Sequence, residues 1–153
     1  MPKVAYDKDT KIGCKGKDEF WYGFKKYVSV DMQSGLINKV AITPANTTDA
    51  SGLKNVCPDQ GAMYADKAYC AEPARRHAGR KRCHLAAIKK NKMKGKNKDL
   101  DRWYSGVRAP YESVFSKQRK RTRCCGIAKN QFAAFMEAIC FNLKRLSAKN
   151  KSF

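Results

Sequence analysis

One helical repeat near the end of the chain constrains the fold most. Apolar side chains recur there at intervals of three and four residues, as on one face of an α-helix, at Phe132, Phe135, Met136, Ile139, Leu143 and Leu146. The pattern predicts an amphipathic helix over residues 131–147. A large apolar face on a helix is typically turned toward the core of a protein. We therefore assign these six side chains to the core.

Upstream of this helix, β-type and helical runs alternate. Residues 24–30 and 36–43 flank a turn at 31–35, which predicts a β-hairpin. We further predict a short helix at 50–55, a strand at 62–65, a helix from Pro73 to Gly79, a strand at 84–89 and a helix at 110–121. Residues 1–19 and the lysine-rich segment 89–98 are predicted to be irregular. With 153 residues and no internal repeat, the chain has the size of one domain.

The charge distribution indicates which class of molecule the chain binds. The chain has 33 Lys and Arg against 13 Asp and Glu, a net charge of +20. Between Arg75 and Arg123 only Asp99, Asp101 and Glu112 are acidic. A basic stretch of this density is typical of proteins that bind nucleic acid. An anionic membrane is the weaker alternative, because the stretch lacks a long amphipathic helix with bulky apolar residues opposite its charges.

The cysteines predict a reducing compartment. Their number is seven, and an odd count at scattered spacing does not suggest a secreted disulfide framework. His77 and His84 lie among Cys70 and Cys83, but no CxxC pair exists and Cys83 directly precedes His84, which is poor spacing for tetrahedral zinc. We expect reduced, mostly buried thiols in a cytoplasmic, nucleoid-associated protein without a transmembrane span.

Two acids within basic surroundings are the candidate catalytic residues. Asp66 follows the predicted strand at 62–65, and Glu112 lies two residues after Pro110 at the predicted start of a helix. Carboxylates that converge from two elements can hold Mg²⁺ together with phosphate oxygens. We expect the two carboxylates to lie within about 8 Å of each other, since paired metals sit about 3.5–4 Å apart between their ligands. Ordinary surface salt bridges are the competing interpretation.

An ordered set of motifs resembles the C-terminal part of the DDE transposases of bacterial insertion sequences, in the group loosely called types four and five. The matching stretches cover most of the chain: residues 20–25, 28–31, 34–37, 43–49, 64–69, 108–115, Arg119, 126–130 and the terminal helix. Each stretch is short, and the specificity of the resemblance comes from their order.

The resemblance implies an α/β fold and a metal-dependent activity. The family has a ribonuclease-H-like mixed sheet flanked by helices, and three carboxylates that hold two Mg²⁺ ions. By position, Asp66 resembles the second acid and Glu112 the third, so both are assigned as catalytic metal ligands. Arg108 and Arg119 match basic positions four before and seven after the glutamate. The proposed DNA-binding residues are these two arginines with Lys117, Lys120, Arg121 and Arg123.

The first acid of the family has no good counterpart. It lies on a strand upstream of the hairpin, whereas Asp7 and Asp9 match the region after that strand and Asp31 matches the hairpin turn. We therefore expect a single partial catalytic domain that lacks the first strand of the fold and is inactive alone. A homodimer is a further possibility, because a missing strand leaves backbone groups unpaired.

Three functions follow from these observations. The first is DNA transposition, in which the chain takes part in metal-dependent cleavage of double-stranded DNA and transfer of the cut strand, at transposon ends and target. The second is a non-catalytic, basic DNA-binding remnant. The third is a small RNA-binding protein, in which Trp21, Tyr22 and Phe24 stack bases beside Lys25 and Lys26.

Overall fold

The computed structural model describes residues 6–117 and 121–150. They form two compact units, one built from residues 1–47 and 118–153 and the other from residues 48–117. Strands and helices occur in both units, so the predicted mixed α/β class is confirmed. The ribonuclease-H-like arrangement, the missing first strand and the single domain stay predictions.

A three-stranded antiparallel sheet forms the first unit. Its strands are β1 (Lys11–Lys15), β2 (Glu19–Val30) and β3 (Ile37–Pro44), with β2 in the middle. The predicted hairpin is confirmed, since Phe24 pairs with Pro44 and Val28 with Val40. Its turn is closed by the Asp31 carboxylate, which accepts hydrogen bonds from the Ser34 backbone and hydroxyl. These bonds lower the pKa of Asp31.

The prediction that residues 1–19 are irregular is wrong for residues 11–15 and 19, which are in strands. Strand β1 pairs with the first half of β2, from Lys11 opposite Gly23 to Lys15 opposite Glu19. Its sequence, Lys-Ile-Gly-Cys-Lys, has little β-propensity of its own. Cross-strand pairing with β2, a partner that local pattern does not reveal, therefore determines this strand.

The long terminal helix α5 (Ile127–Asn150) packs on β3, but not through its large apolar side chains. The predicted helix is confirmed and is longer at both ends. The assignment of its large apolar face to the core is wrong, since all six of those side chains are between 43 and 67% exposed. The buried positions of the helix are instead Asn130, Ala134 and Ala138.

Two amides explain why this face of α5 lies on the sheet. The Gln131 side chain accepts a hydrogen bond from Ile42 N and donates one to Val40 O, at 2.8 and 3.1 Å. Asn142 does the same for the N–H and C=O of Ile37, at 2.8 and 2.9 Å. Backbone groups at a sheet edge need such partners when they are buried. Small alanines between the two amides let the helix approach the strand.

Two acidic residues near the N-terminus accept hydrogen bonds from the backbone N–H groups at the start of α5. Asp7 Oδ2 accepts a hydrogen bond from Gly126 N at 2.6 Å, and Asp9 Oδ2 accepts one from Ile127 N at 2.9 Å. The first N–H groups of a helix have no partner within it and favour anions. Gly126 has a φ of +83°, which favours glycine over other residues. Asp7 and Asp9 therefore have a structural role.

The second unit contains two parallel strands and four α-helices. Its elements in order are α1 (Asp49–Gly52), a 3₁₀ turn (Leu53–Asn55), β4 (Gly61–Ala65), α2 (Glu72–Arg80), β5 (Cys83–Ala87), α3 (Lys98–Arg108) and α4 (Glu112–Ser116). Strand β4 pairs with β5, from Gly61 opposite Cys83 to Ala65 opposite Ala87. The predicted helix at 50–55, both strands and the helix containing Pro73 are confirmed, with shifts of one or two residues.

Small side chains dominate the core of this unit. Leu53 is fully buried among Ala50, Ala74 and Ala78 and the thiols of Cys57 and Cys83. Burial and the neighbouring Cys57 raise the pKa of the Cys83 thiol to about 11, so it is protonated at neutral pH. All seven cysteines are free, but Cys14, Cys124, Cys125 and Cys140 are exposed. The prediction of mostly buried thiols is therefore wrong for four of them.

Two helical segments differ from the prediction. Helix α3 was not predicted, although Asn97 caps it by accepting hydrogen bonds from the N–H groups of Asp99 and Leu100. The helix predicted at 110–121 is too long, because α4 ends at Ser116 and residues 121–125 have no regular secondary structure. On a continuous helix, Lys117 and Arg121 would lie four residues apart and repel one another. Among the described residues, no helix combines the length and apolar character needed to cross a membrane.

Candidate metal and DNA site

Asp66 lies at the carboxyl end of β4, where parallel strands present ligands to solvent. Its carboxylate accepts a hydrogen bond from Lys67 N at 2.7 Å and caps the short 3₁₀ turn Lys67–Tyr69. The side chain is 57% exposed. One carboxylate oxygen thus accepts a hydrogen bond from the next residue. The carboxylate is still accessible to a metal ion, including one that is bound to a phosphate.

Helix α3 packs on one face of β4 and ends near the carboxylate of Asp66. Side chains alternate between the two faces of a strand, so Met63 packs on the core of the unit while Tyr64 faces α3. The Tyr64 ring lies 5.7 Å from that of Trp103 and 5.8 Å from that of Tyr104. This contact positions α3 along β4.

Arg108, the last residue of α3, faces the candidate metal ligand. Its Nη1 lies 3.9 Å from Asp66 Oδ1, beyond hydrogen-bonding distance, and its side chain is 24% exposed. An exposed ion pair at this distance contributes little to stability. The arrangement instead leaves the Arg108 guanidinium beside an accessible carboxylate.

Glu112 begins α4, four residues after Arg108. The backbone remains helical between them but tightens into a 3₁₀ turn at Ala109–Tyr111, because Pro110 has no N–H to donate. At a rise of about 1.5–2 Å per residue, Glu112 lies roughly 6–8 Å along the axis from Arg108. Its side chain is exposed and has no hydrogen bond or ion pair to any residue that the structure describes. Convergence of its carboxylate with that of Asp66 stays a prediction.

These donors suit a hard divalent cation. Carboxylate oxygens with water and phosphate are the usual ligands of Mg²⁺, and both Asp66 and Glu112 are exposed acids. No group of three or more His, Cys, Asp or Glu side chains suited to a metal occurs within residues 6–117 and 121–150. The residues present therefore fit one ion, and no third carboxylate joins them for a second.

The other predicted DNA-binding residues are divided between the units. Lys117 is exposed at the end of α4, in the second unit, and Arg121 and Arg123 are exposed in the first. Arg119 and Lys120 lie outside the described residues.

Comparison with known proteins decides the family. The family model described as the transposase DDE domain matches residues 3–143 of the chain. The chain belongs to the transposase DDE-domain family. The predicted resemblance is confirmed at this level, and the narrower group of insertion sequences stays a prediction. No curated protein and no solved structure gave a match.

Membership in the DDE family gives the site its chemical context. DDE transposases act on DNA, cleave and transfer nucleic acid strands, and typically use a divalent metal. A role in DNA transposition follows for this DDE domain. The sequence did not reveal helix α3, which packs on Tyr64 through Trp103 and Tyr104 and carries Arg108. The capping Asn97 and the apolar spacing of Leu100, Trp103 and Tyr104 were the available signals.

Proposed function

We propose that this chain is a transposase catalytic segment in which Asp66 and Glu112 hold Mg²⁺ and Arg108 holds the backbone of the DNA strand. In the intact transposase, the reaction is hydrolysis of a DNA phosphodiester at a transposon end, followed by attack of the freed 3′-hydroxyl on target DNA. The observation that carries the proposal is the 3.9 Å approach of Arg108 to Asp66. This approach supports the proposal because Glu112 follows Arg108 by only four residues.

Each side chain has a distinct role in this proposal. The carboxylates of Asp66 and Glu112 provide oxygen ligands from two separate elements. When bound, Mg²⁺ would polarise the phosphoryl oxygens and stabilise the charge that develops on them. Arg108 loses little by leaving Asp66, because the pair is long and partly exposed. A phosphate offers its guanidinium two acceptor oxygens and so a stronger, bidentate partner.

The basic stretch supplies the affinity for DNA. Phosphate neutralisation by Lys and Arg releases counterions, which favours binding at low salt. Eighteen Lys and Arg residues lie between Arg75 and Arg123. Of the proposed phosphate contacts, Lys117, Arg121 and Arg123 are exposed. In this proposal, the Lys and Arg side chains bind the phosphates of the duplex. Arg108 then positions the DNA backbone at Asp66.

We expect binding to random duplex DNA to depend steeply on salt. If about six phosphates are contacted, log K should fall with log salt at a slope near −5. A titration of a labelled duplex by fluorescence anisotropy, from about 50 to 200 mM salt, measures this slope. The double variant Arg121→Ala/Arg123→Ala should reduce its magnitude by about 2.

A charge-matched control isolates the basic stretch. The double variant Lys8→Ala/Lys15→Ala removes two exposed cations that lie outside it, and should keep the slope of the unmodified chain. A slope near zero, or equal changes in both double variants, would remove the stretch from the DNA-binding surface. The non-catalytic remnant remains the second candidate function, because no group of three possible metal ligands occurs within residues 6–117 and 121–150.

A further inference from the structure

A stripe of apolar side chains runs along the exposed side of α5. Phe132, Met136, Ile139, Leu143 and Leu146 are spaced alternately by four and three residues, and each is between 43 and 67% exposed. Strict alternation of three and four residues is the pattern of the seam of a left-handed coiled coil. We call these five side chains the α5 seam. Their pattern indicates that a second helix can pack along α5.

The α5 seam faces away from the strand on which the helix packs. Ala134 and Ala138 are buried, and each follows a seam residue, Phe132 or Met136, by two positions. Two positions correspond to about 200° around a helix of 3.6 residues per turn. The packing of α5 on β3 therefore leaves the seam exposed, and a second helix can bind there without displacing the strand.

The apolar area of this face is large for a monomer. The seam and the adjacent Phe135, which is 48% exposed, together present roughly 600 Å² of apolar surface, at the upper end of the largest patches on typical monomers. Two such faces in contact would bury about 1,200 Å², which is near the lower limit for a specific protein–protein interface. This area is enough for a weak dimer.

The charges around the seam favour a second copy of the chain over nucleic acid. Residues 132–143 contain no Lys or Arg, although the chain has 33 of them. The one acid in this stretch, Glu137, is paired with Lys26 of β2. A face without cations does not suit a polyanion, whereas two copies of it can approach each other without like-charge repulsion. A symmetric dimer uses the same patch on both copies.

The cations at the end of α5 favour an antiparallel arrangement. Lys144, Arg145 and Lys149 all follow the cation-free stretch. Parallel helices would bring the cations of both copies to one end, where they repel, whereas antiparallel helices place them at opposite ends. Antiparallel helices also bring the positive N-terminal end of each dipole near the negative C-terminal end of the other.

We propose that α5 binds α5 of a second copy through the α5 seam, as an antiparallel coiled coil. Phe132 of one copy then faces Leu143 of the other, and Met136 faces Ile139. The α5 seam belongs to the first unit, whereas the candidate metal ligands belong to the second. The dimer therefore requires neither the metal nor the DNA of the proposed function.

The small interface sets the concentration at which the dimer forms. We expect a dissociation constant of about 10 μM or weaker, because an interface of this size leaves little free energy after the costs of association. Below about 1 μM the chain is then monomeric, and substitutions in the seam have only the small effect of surface changes on unfolding.

Sedimentation equilibrium of the full chain tests this interface. Between about 1 and 100 μM the unmodified chain should pass reversibly from monomer to dimer. Ile139→Asp places a charge at the centre of the seam and should weaken the dimer by about thirtyfold or more. Leu100→Asp, the same kind of change at a 42% exposed side chain of α3, is the matched control and should leave the dissociation constant unchanged.

Two results would overturn the seam as an interface. One is a chain that stays monomeric over the whole concentration range. The other is a dimer that persists in Ile139→Asp, which would place the association elsewhere, for example at a sheet edge. Circular dichroism establishes that both variants fold, since each change is at an exposed position of a helix.

Cross-linking tests the orientation of the two helices. The experiment uses a chain in which serine replaces the four exposed cysteines, Cys14, Cys124, Cys125 and Cys140. A short bismaleimide should join a chain with Phe132→Cys to a chain with Leu143→Cys. It should not join two Phe132→Cys chains, because their thiols would lie about 16 Å apart along the antiparallel helices. Efficient joining of two Phe132→Cys chains, with none between the two different variants, would contradict the antiparallel coiled coil.

Discussion

We expect the 153-residue chain to leave DNA uncut in the presence of Mg²⁺ or Mn²⁺. All thirteen Asp and Glu residues lie within the described part of the chain. None of them joins Asp66 and Glu112 in a metal-binding group of three. The acids nearest in sequence to the position of the first family acid have other partners, since Asp7 and Asp9 cap α5 and Asp31 closes a turn.

The expected loss of rate is large. Paired metals stabilise both the attacking and the leaving oxygen of a phosphoryl displacement. Each 1.36 kcal/mol of stabilisation that is missing lowers the rate about tenfold, so a deficit of several kcal/mol places turnover below detection. The assay uses a supercoiled plasmid that carries the DNA flanking the gene, with nicking followed on a gel.

The Asp66→Ala chain is the control for this assay. Nicking that is equal in both chains would indicate a contaminating nuclease and leave the expectation intact. Nicking that is present in the unmodified chain and lost in Asp66→Ala would contradict it. Such a result would mean that a further acid completes the site, and Asp31 would be the first to test.

Replacing Leu53 by alanine should produce the largest loss of stability in the second unit. Leu53 is 0% exposed and is the largest of the buried side chains in its cluster, where its buried neighbours are alanines and two thiols. The short side chains of these buried neighbours cannot fill the space left by the missing isopropyl group. A buried Leu→Ala substitution with a persistent cavity costs about 3–5 kcal/mol, a large part of the stability of a typical domain.

Urea unfolding followed by circular dichroism measures this loss. Leu143→Ala is the matched control, because the same atoms are removed from a side chain that is 62% exposed. We expect the control to change the free energy of unfolding by less than about 0.5 kcal/mol. A loss below about 1 kcal/mol in Leu53→Ala would show that this core is not packed as described.

Local signals in the sequence accounted for most of the elements. The turn at 31–35 marks the hairpin, Pro73 marks the start of α2, and the repeat after Asn130 marks α5. These features act within a few residues of one another, so a single sequence reveals them. Strand β1 was missed because its stability depends on pairing with residues of β2. That pairing leaves no periodic pattern in the strand itself.

The buried face of α5 could not be deduced from periodicity. The helix has a face of large apolar side chains and another of amides and alanines, and hydrophobicity favours burying the first. The hydrogen bonds of Gln131 and Asn142 to the β3 backbone favour the second. Only knowledge of an available strand edge decides between them.

The candidate site was predictable in part. Asp66 and Glu112 were found from their residue type, their surroundings and the family motif. The approach of Arg108 to Asp66 depends on the position of helix α3. The sequence did not predict this helix, because the lysine-rich segment before it indicated a loop. The aromatic cluster of Tyr64, Trp103 and Tyr104 was hidden for the same reason, since it forms only when α3 packs on β4.

Iron-directed cleavage of the polypeptide tests the shared metal site most directly. Fe²⁺ replaces Mg²⁺ at oxygen-ligand sites, and with ascorbate and peroxide it produces radicals that cut the chain beside the bound ion. We expect cuts next to both Asp66 and Glu112, suppressed by excess Mg²⁺ and lost in Asp66→Ala and Glu112→Ala. Asp59→Ala removes an exposed acid paired with Lys81 and should keep both cuts. Cuts beside only one of the two acids, or elsewhere in the chain, would contradict a metal site shared by Asp66 and Glu112.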